Sequence, residues 1–315
     1  MAMERAAVPV EDTKTSLVIP EENNIQPDCF VIVDLETSGF RAYAEIVQIA
    51  AKCGSEEFSA YMTPKYMIDP QASEVHGLQL DCKGRLVNMR TGDIVPTRSS
   101  NEVALEFLNF LRKCGKKVVL VGHNIVRFDG PRIVRFMENH CLVTEFCSLI
   151  HGMVDSLPLL RQGKVGRLSL LASTYLTGVE WQVHLENAHD ALHDCILVAG
   201  LLDHFNVTPE IMLRCVYSIR DFMERQLYNA RKNTYSFELM PLTQVGVSKN
   251  MIGQIAGAGV TMEELRELYI RSGKEGIAEC LSVQVSGAPR VTAHKASINK
   301  ITSFFESPVV ENIDF

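Results

Sequence analysis

The chain has 315 residues, of which 46% are hydrophobic and 22% charged, and its formal net charge is −7 at pH 7. This ordinary composition excludes a fibrous or largely disordered protein, and the acidic balance argues against one that coats nucleic acid through bulk positive charge. The length predicts a main domain with an appendage.

The cysteines and the apolar runs indicate the compartment. Nine cysteines occur without a CxxC pair, which predicts reduced thiols in a cytosolic or nuclear protein. Residues 1–27 form a polar leader without the apolar core of a signal peptide. No stretch reaches the roughly 18 apolar residues of a membrane span, so we expect neither secretion nor membrane insertion.

Between residues 28 and 206, apolar runs alternate with helical patterns. Strands are predicted at Phe30–Asp34, Ile46–Cys53, Phe58–Thr63 and Lys117–Gly122. Helices are predicted from Val103 to Leu111, with Asn101 as the cap, and over Arg132–His140. The alternation predicts a mixed α/β sheet.

The pattern changes after residue 206, where longer amphipathic segments follow without a convincing strand. We place the domain break near Asn206–Pro209. This divides the chain into a main domain at 28–206, a helical appendage at 207–285 and a flexible tail at 286–315.

Two helices are predicted in the appendage. Ser248 is the candidate start of a short one. Thr261 and Glu264 form a predicted capping box that opens Met262–Ser272, and Gly273 is expected to end this helix.

Two carboxylates directly follow the first apolar strand. Asp34 and Glu36 come after the run Cys29–Val33, and residues two apart on a strand point to the same face. Carboxylates paired at the end of a buried strand repel each other and lose hydration. They therefore require a cation.

Three further residues have a comparable setting. Asp129 follows the strand predicted at Lys117–Gly122, at the head of a helix. Asp194 lies five residues after His189, in the first turns of a helix predicted from Ala191 onward. His189 lies in the less constrained segment before this helix. A histidine there can contact a water molecule that metal ions hold.

Together these segments resemble the motifs of the DEDDh family of 3′→5′ exonucleases, which have a ribonuclease H-like fold. The resemblance covers residues 28–206. Its motif residues are Asp34, Glu36, Asp129, His189 and Asp194. It implies a ribonuclease H-like α/β domain with an α-helical C-terminal appendage.

Subsidiary matches support the resemblance. Val75–Leu78 resembles the His-Gly turn of the family, and Asp155–Leu159 resembles its Asp-Thr-Leu segment. Ser38 stands where a second threonine is common, which keeps the hydroxyl. The chain is also similar to vertebrate three-prime repair exonucleases and to the exonuclease-like region of promyelocytic leukaemia protein.

The resemblance implies hydrolysis with two Mg²⁺ ions about 3.5–4 Å apart, for which Mn²⁺ can substitute. It implies that Asp34 bridges both ions, that Glu36 and Asp194 hold the ion on the water side, and that Asp129 acts mainly through water. His189 is the implied general base, since an ordinary histidine pKa of about 6.5 suits proton removal near neutrality. The implied partner is a nucleic acid 3′ end, with DNA preferred over RNA. Of the nucleus and the cytoplasm, the nucleus is the preferred location.

Several of these residues have an alternative role. Asp129 is alternatively a helix cap. His193 is the rival of His189 as the base, but its helical position predicts that it faces away from Asp194. His123 and Asn124 fit a substrate contact and a strand-end hydrogen-bonding role equally well.

Two other functions remain open from the sequence. A 3′→5′ exoribonuclease would use the same five residues, because discrimination of ribose depends on a contact to the 2′-hydroxyl. The other is a catalytically silent exonuclease-like domain that binds nucleic acid or serves as a scaffold. The complete set of five residues argues against it.

The tail contains a second signal. Ile298–Phe305 resembles the clamp-binding pattern Gln-x-x-aliphatic-x-x-aromatic-aromatic, with Ile301, Phe304 and Phe305 at the plug positions and Ile298 in place of the glutamine. A sliding clamp is therefore a candidate partner through these three side chains. The alternative is that they pack against their own domain.

Overall fold

The computed structural model describes residues 26–161, 166–285 and 287–306. The chain divides into two compact units, Met1–Arg220 and Asp221–Phe315. The polar leader predicted at 1–27 lies almost entirely outside the described residues.

The first unit is built on a mixed β-sheet. Its strands are β1 (Cys29–Thr37), β2 (Ile46–Cys53), β3 (Glu56–Tyr61), β4 (Leu78–Leu80), β5 (Leu86–Asn88), β6 (Val118–Gly122), β7 (Ile150–Asp155) and β8 (Tyr217–Ser218). Six of them form one sheet in the order β3-β2-β1-β6-β7-β8, while β4 and β5 form a separate hairpin. Strand β1 runs antiparallel to β2 and parallel to β6.

The described part of the first unit also contains helices, some of which pack against this sheet. They are α1 (Pro70–His76), α2 (Ser100–Cys114), α3 (Asp129–Asn139), α4 (Val143–Leu149), α5 (Ser156–Leu160), α6 (Leu168–Tyr175), α7 (Val179–Glu186), α8 (Ala191–His204) and α9 (Pro209–Arg214). Helix α2 covers the face on which its Phe107 meets Phe58 of β3, with ring centroids 5.8 Å apart. No helix within the described ranges is long and apolar enough to cross a membrane.

Helix α8 lies close to the opposite face of the sheet because the residues between them are small. Ala50 of β2 packs with Ala191 and Cys195 of α8 in one buried cluster. The Cys195 thiol lies 3.7 Å from the carbonyl oxygens of Ile32 and Ala50. Larger side chains here would hold α8 away from the strand that carries the paired carboxylates.

The predicted strands β1, β2, β3 and β6 are confirmed within a few residues, but two details differ. The cap of α2 is Ser99 and not Asn101, since Ser99 and Glu102 form a reciprocal capping box. The domain break falls later than predicted, because β8 still pairs with Gly152 and Met153 of β7. A two-residue strand is too short to give a sequence pattern.

The second unit is helical. Helix α10 (Ile219–Tyr235) spans the division, and a 3₁₀ helix at Met240–Val245 follows it. The remaining elements are α11 (Lys249–Gly257), α12 (Met262–Ser282), β9 (Gln284–Val285), β10 (Ala288–Pro289) and α13 (Lys295–Glu306). Ser248 caps α11 and Thr261 caps α12, as predicted. Gly273, with φ of 60°, breaks α12, which then resumes.

The sequence predicts a flexible tail at 286–315, whereas part of it is helix α13. Ile298, Ile301 and Phe304 of α13 lie in the core of the second unit with Leu265 and Ile277. Their spacing is that of an amphipathic helix, but the polar residues around them make this pattern hard to recognise in the sequence. Residues 307–315 lie outside the described ranges.

This burial also decides between the two readings of the tail motif. Ile301 is 0% exposed and Phe304 is 6% exposed, while the ring of Phe305 stacks on Tyr269 with centroids 5.6 Å apart. The three predicted plug residues thus pack against their own unit. The structure does not favour the sliding clamp as a partner through them.

Candidate metal centre and active site

The two strand carboxylates lie at the end of β1, on the face that α8 covers. Asp34 pairs with Ala50 of β2, and Glu36 pairs with Gln48. The register shifts immediately afterwards, between Glu36 and Thr37, which ends regular pairing at this point. Glu36 is 8% exposed, and Asp34 is half-buried.

Helix α8 brings Asp194 to the same place. The Asp190 carboxylate caps the helix by accepting hydrogen bonds from the N–H groups of Leu192 and His193. Asp194 follows one turn later, buried, and accepts a hydrogen bond from the His189 N–H at 3.3 Å. His189 has a φ of 71°, a region that costs a non-glycine residue on the order of 1 kcal/mol or more.

These residues surround one cavity of about 210 Å³. The candidate ligand atoms of Glu36, His189 and Asp194 all lie within 4.8 Å of one another. The residues that line the cavity are Asp34, Leu35, Glu36, Thr37, Phe40, Ala72, Val75, His76, His123, Phe128, Leu168, His189 and Asp194. Four of the five predicted site residues therefore meet at this cavity.

The fifth, Asp129, is buried at the start of α3, at 2% exposure. Its negative charge raises the pKa of Asp34 and Glu36. Arg132, one turn along α3, supplies the opposite charge and lies over the Phe128 ring at 3.7 Å. Phe128 is the N-cap residue of α3, and Asp129 is the first residue inside the helix, so Asp129 does not occupy the cap position.

Burial raises the pKa of all four carboxyl groups, and repulsion from the other site carboxylates raises the pKa of Asp34 and Glu36 further. Burial is the largest cause for Asp34 and Glu36, followed by the charge of Asp194, and their pKa values lie well above the ordinary range. Burial also raises the pKa of Asp129 and of Asp194 to about 7. Such a cluster ionises fully only when positive charge compensates it.

The His189 imidazole has the opposite shift. Burial lowers its pKa first, and the positive charge of Arg90 lowers it further. The ring is therefore neutral near pH 7 and has a nitrogen lone pair with which to accept a proton.

The raised pKa of Asp194 predicts a stability change. A carboxyl whose pKa rises from 3.8 to about 7 on folding stabilises the fold below about pH 4, and this contribution is lost as the pH rises through 7. In metal-free protein at pH 8, we expect Asp194→Asn to raise the unfolding free energy by about 2 kcal/mol and Tm by about 4–8 °C.

Thermal melts in EDTA at pH 8 and pH 4 measure this effect. The gain should vanish at pH 4, where the wild-type carboxyl is already protonated. Asp203→Asn, at an exposed position of the same helix, is the matched control and should leave Tm unchanged. A lower Tm for Asp194→Asn at pH 8 would contradict the prediction.

Several supporting residues were missed in the sequence. The Asp190 carboxylate accepts hydrogen bonds from the Tyr61 hydroxyl and from Gln48 Nε2, the latter at 3.0 Å. Gln48 Oε1 in turn accepts from the Ala191 N–H at 3.1 Å. A buried glutamine within the apolar run of β2 is the signal that could have revealed this link.

The remaining predicted residues have structural partners. His123 Nδ1 lies 3.1 Å from Ser156 Oγ, and its Nε2 lies 2.6 Å from the Gly166 carbonyl oxygen. The Asn124 N–H donates to Asp155 Oδ1 at 2.8 Å, which is a strand-end role. His123 also lines the cavity, so its contact with substrate stays a prediction. His193 lies against His184, with the two Nδ1 atoms 2.9 Å apart, and does not line the cavity.

Comparison with known proteins identifies the fold of the first unit. Residues 29–175 match the family model described as Exuperantia RNAse H-like domain. The domain has a ribonuclease H-like fold. The sequence prediction of this fold is thereby confirmed.

Two curated proteins are similar to parts of this chain. Maternal protein exuperantia of Drosophila melanogaster is 27% identical over 168 residues, which cover 49% of this chain and 31% of the relative. DNA polymerase III subunit epsilon of Buchnera aphidicola is 25% identical over 199 residues, covering 57% of this chain and 72% of the relative. The chain thus spans about a third of the length of the exuperantia relative.

Two further similarities extend past the ribonuclease H-like domain. A solved E. coli exonuclease I complex with single-stranded DNA is 16% identical, with a TM-score of 0.47, covering 88% of this chain and 64% of that one. Residues 239–308 match the model described as PML, C-terminal domain. The PML match thus falls on the helical second unit.

Proposed function

We propose that this chain is a metal-dependent 3′→5′ exonuclease that hydrolyses phosphodiester bonds at the 3′ end of DNA. The observation that carries the proposal is the meeting of Asp34, Glu36, Asp194 and a neutral His189 at one cavity, with Asp129 buried beside them. The ribonuclease H-like fold of residues 29–175 supports it. We also propose the nucleus as its location.

The residues present fit divalent metal ions. The cluster offers carboxylate oxygens, which hard cations such as Mg²⁺ and Mn²⁺ prefer. Burial raises the pKa of these groups, and bound cations would favour their ionised form. Asp34, Glu36 and Asp194 would hold the ions, and Asp129 would support them from its buried position.

When bound, two Mg²⁺ ions would supply acidification of the attacking water and neutralisation of the charge that grows on the phosphate and the leaving 3′-oxygen. The protein's own part is positional and acid–base. Its carboxylates would hold the cations next to the scissile phosphate. His189 then accepts the proton of the attacking water, and its depressed pKa keeps it unprotonated at neutral pH.

The test is release of labelled nucleotides. Single-stranded DNA labelled at its 3′ or its 5′ end is incubated with the full chain and Mg²⁺ or EDTA. We expect immediate loss of a 3′ label, progressive shortening of 5′-labelled strands, and no reaction in EDTA. Absence of metal-dependent activity on both DNA and RNA would refute the proposal.

The same assay distinguishes DNA from the alternative substrate, RNA. A matched RNA oligonucleotide should be degraded more slowly than DNA if our preference is correct. Faster degradation of RNA would make the protein an exoribonuclease with the same site, because a 2′-hydroxyl contact decides this discrimination.

A further inference from the structure

Arg90 is not one of the predicted site residues, yet it contacts two segments that border the cavity. It follows β5 on the separate β4–β5 hairpin. One guanidinium nitrogen donates to the Val75 carbonyl oxygen at 2.6 Å, and the other donates to the Ala188 carbonyl oxygen at 3.2 Å. The residue therefore joins the C-terminal end of α1 to the loop between α7 and α8, and both line the same cavity through Val75 and His189.

The C-terminal end of α1 is tied to β1 by hydrogen bonds. His76 is 5% exposed, its Nε2 lies 3.1 Å from the Thr37 carbonyl oxygen, and its Nδ1 accepts the Leu78 N–H at 3.0 Å. Gly77, with φ of 75°, leaves room for the arginine, since a Cβ there would lie 3.0 Å from Arg90 Nε. Arg90 is thus anchored next to the end of the carboxylate strand.

The loop between α7 and α8 needs such an anchor. His189 has a left-handed φ of 71°, and strained backbone of this kind persists only where its surroundings hold it. The backbone bonds of Ala188 and His189 are local, since the Ala188 N–H donates to Leu185 at 3.4 Å and the His189 N–H to Asp194 at 3.3 Å. On the other side of His189, Asp190 is held by the distant residues Gln48 and Tyr61. Arg90 contributes a contact to the adjacent carbonyl from 98 residues away.

We propose that Arg90 is a positioning residue for the hydrolysis, which holds the His189 segment at a set distance from the carboxylates of β1. This inference rests on the proposed function. The planar guanidinium bridges two carbonyl oxygens at once, which an ammonium group cannot do with the same geometry. Displacement of a catalytic group by about 1 Å lowers a rate by up to about 100-fold.

The experiment compares Arg90→Ala and Arg90→Lys with Arg85→Ala in the full chain. Arg85 lies on the same hairpin and pairs with Asp81 at 2.7 Å, which makes it the matched control. In Arg90→Ala we expect kcat on labelled single-stranded DNA to fall by about 10- to 100-fold, with KM within about threefold of wild type. Arg90→Lys should not restore kcat, and Arg85→Ala should match wild type.

Hydrogen exchange followed by mass spectrometry tests the anchoring without any activity. Peptides that contain residues 187–190 should exchange about tenfold faster in Arg90→Ala than in wild type or Arg85→Ala. Unchanged exchange would overturn the proposal, as would a kcat within twofold of wild type or full rescue by lysine. If the wild type hydrolyses nothing, the proposed function fails, while the exchange comparison still decides whether Arg90 holds this segment.

Discussion

Asp34→Ala is expected to abolish metal-dependent hydrolysis, with a loss of about 10³-fold or more in kcat. Asp34 lies at the cavity with Glu36 and Asp194, and the resemblance implies that it bridges both metal ions. Under the proposed function, its removal would take away a ligand of the metal ions. Such ions supply several kcal/mol of transition-state stabilisation, and about 1.4 kcal/mol corresponds to each factor of ten.

A second measurement shows that the loss arises at the metal site. Mg²⁺ should raise the Tm of the wild type, because a ligand that binds only the folded state stabilises it. It should leave the Tm of Asp34→Ala nearly unchanged. Asp203→Asn, an exposed carboxylate of α8, should keep both the activity and the Mg²⁺ effect. Full activity of Asp34→Ala would remove the basis for a two-metal site.

His189→Asn is expected to lower kcat by about 10²- to 10⁴-fold, the usual contribution of a general base. Asparagine tolerates the left-handed φ of this position, so the backbone is preserved while the proton acceptor is removed. The rate should be measured at saturating Mg²⁺ from pH 6 to pH 9, because the lowered pKa of the wild-type imidazole favours its neutral form in the upper part of this range.

The metal response separates a base from a ligand. His189→Asn should retain the Mg²⁺-induced rise in Tm that Asp34→Ala loses. Its disappearance would instead make His189 a metal ligand, which its closeness to Glu36 and Asp194 allows. His193→Asn is the matched control four residues along the chain. It should react like the wild type, because His193 contacts His184 away from the cavity.

The predicted part of the fold is the part with a strong local signal. β1 and β2 are apolar runs, and the capping residues Ser248 and Thr261 precede their helices. The tail was mispredicted because α13 offers few apolar residues among polar ones. Its helix becomes evident once Ile301 has a core to enter.

The candidate site divides in the same way. Asp34, Glu36 and Asp194 are recognisable because their chemistry and spacing lie in short motifs. Arg90 and Gln48 are not, since an arginine on a hairpin and a glutamine on a strand have no distinctive neighbours. Their contacts to Ala188 and Asp190 span 98 and 142 residues.

The sequence by itself determined which residues have the chemistry for a metal site and which strands and helices carry them, because both depend on residue type and local spacing. Only the tertiary structure decided that Asp129 is buried and does not line the cavity. It also decided that His189 has a strained backbone and that the aromatic residues of the tail face a core. The physical reason is that burial, charge coupling and backbone strain arise from contacts between distant segments. No local pattern encodes them.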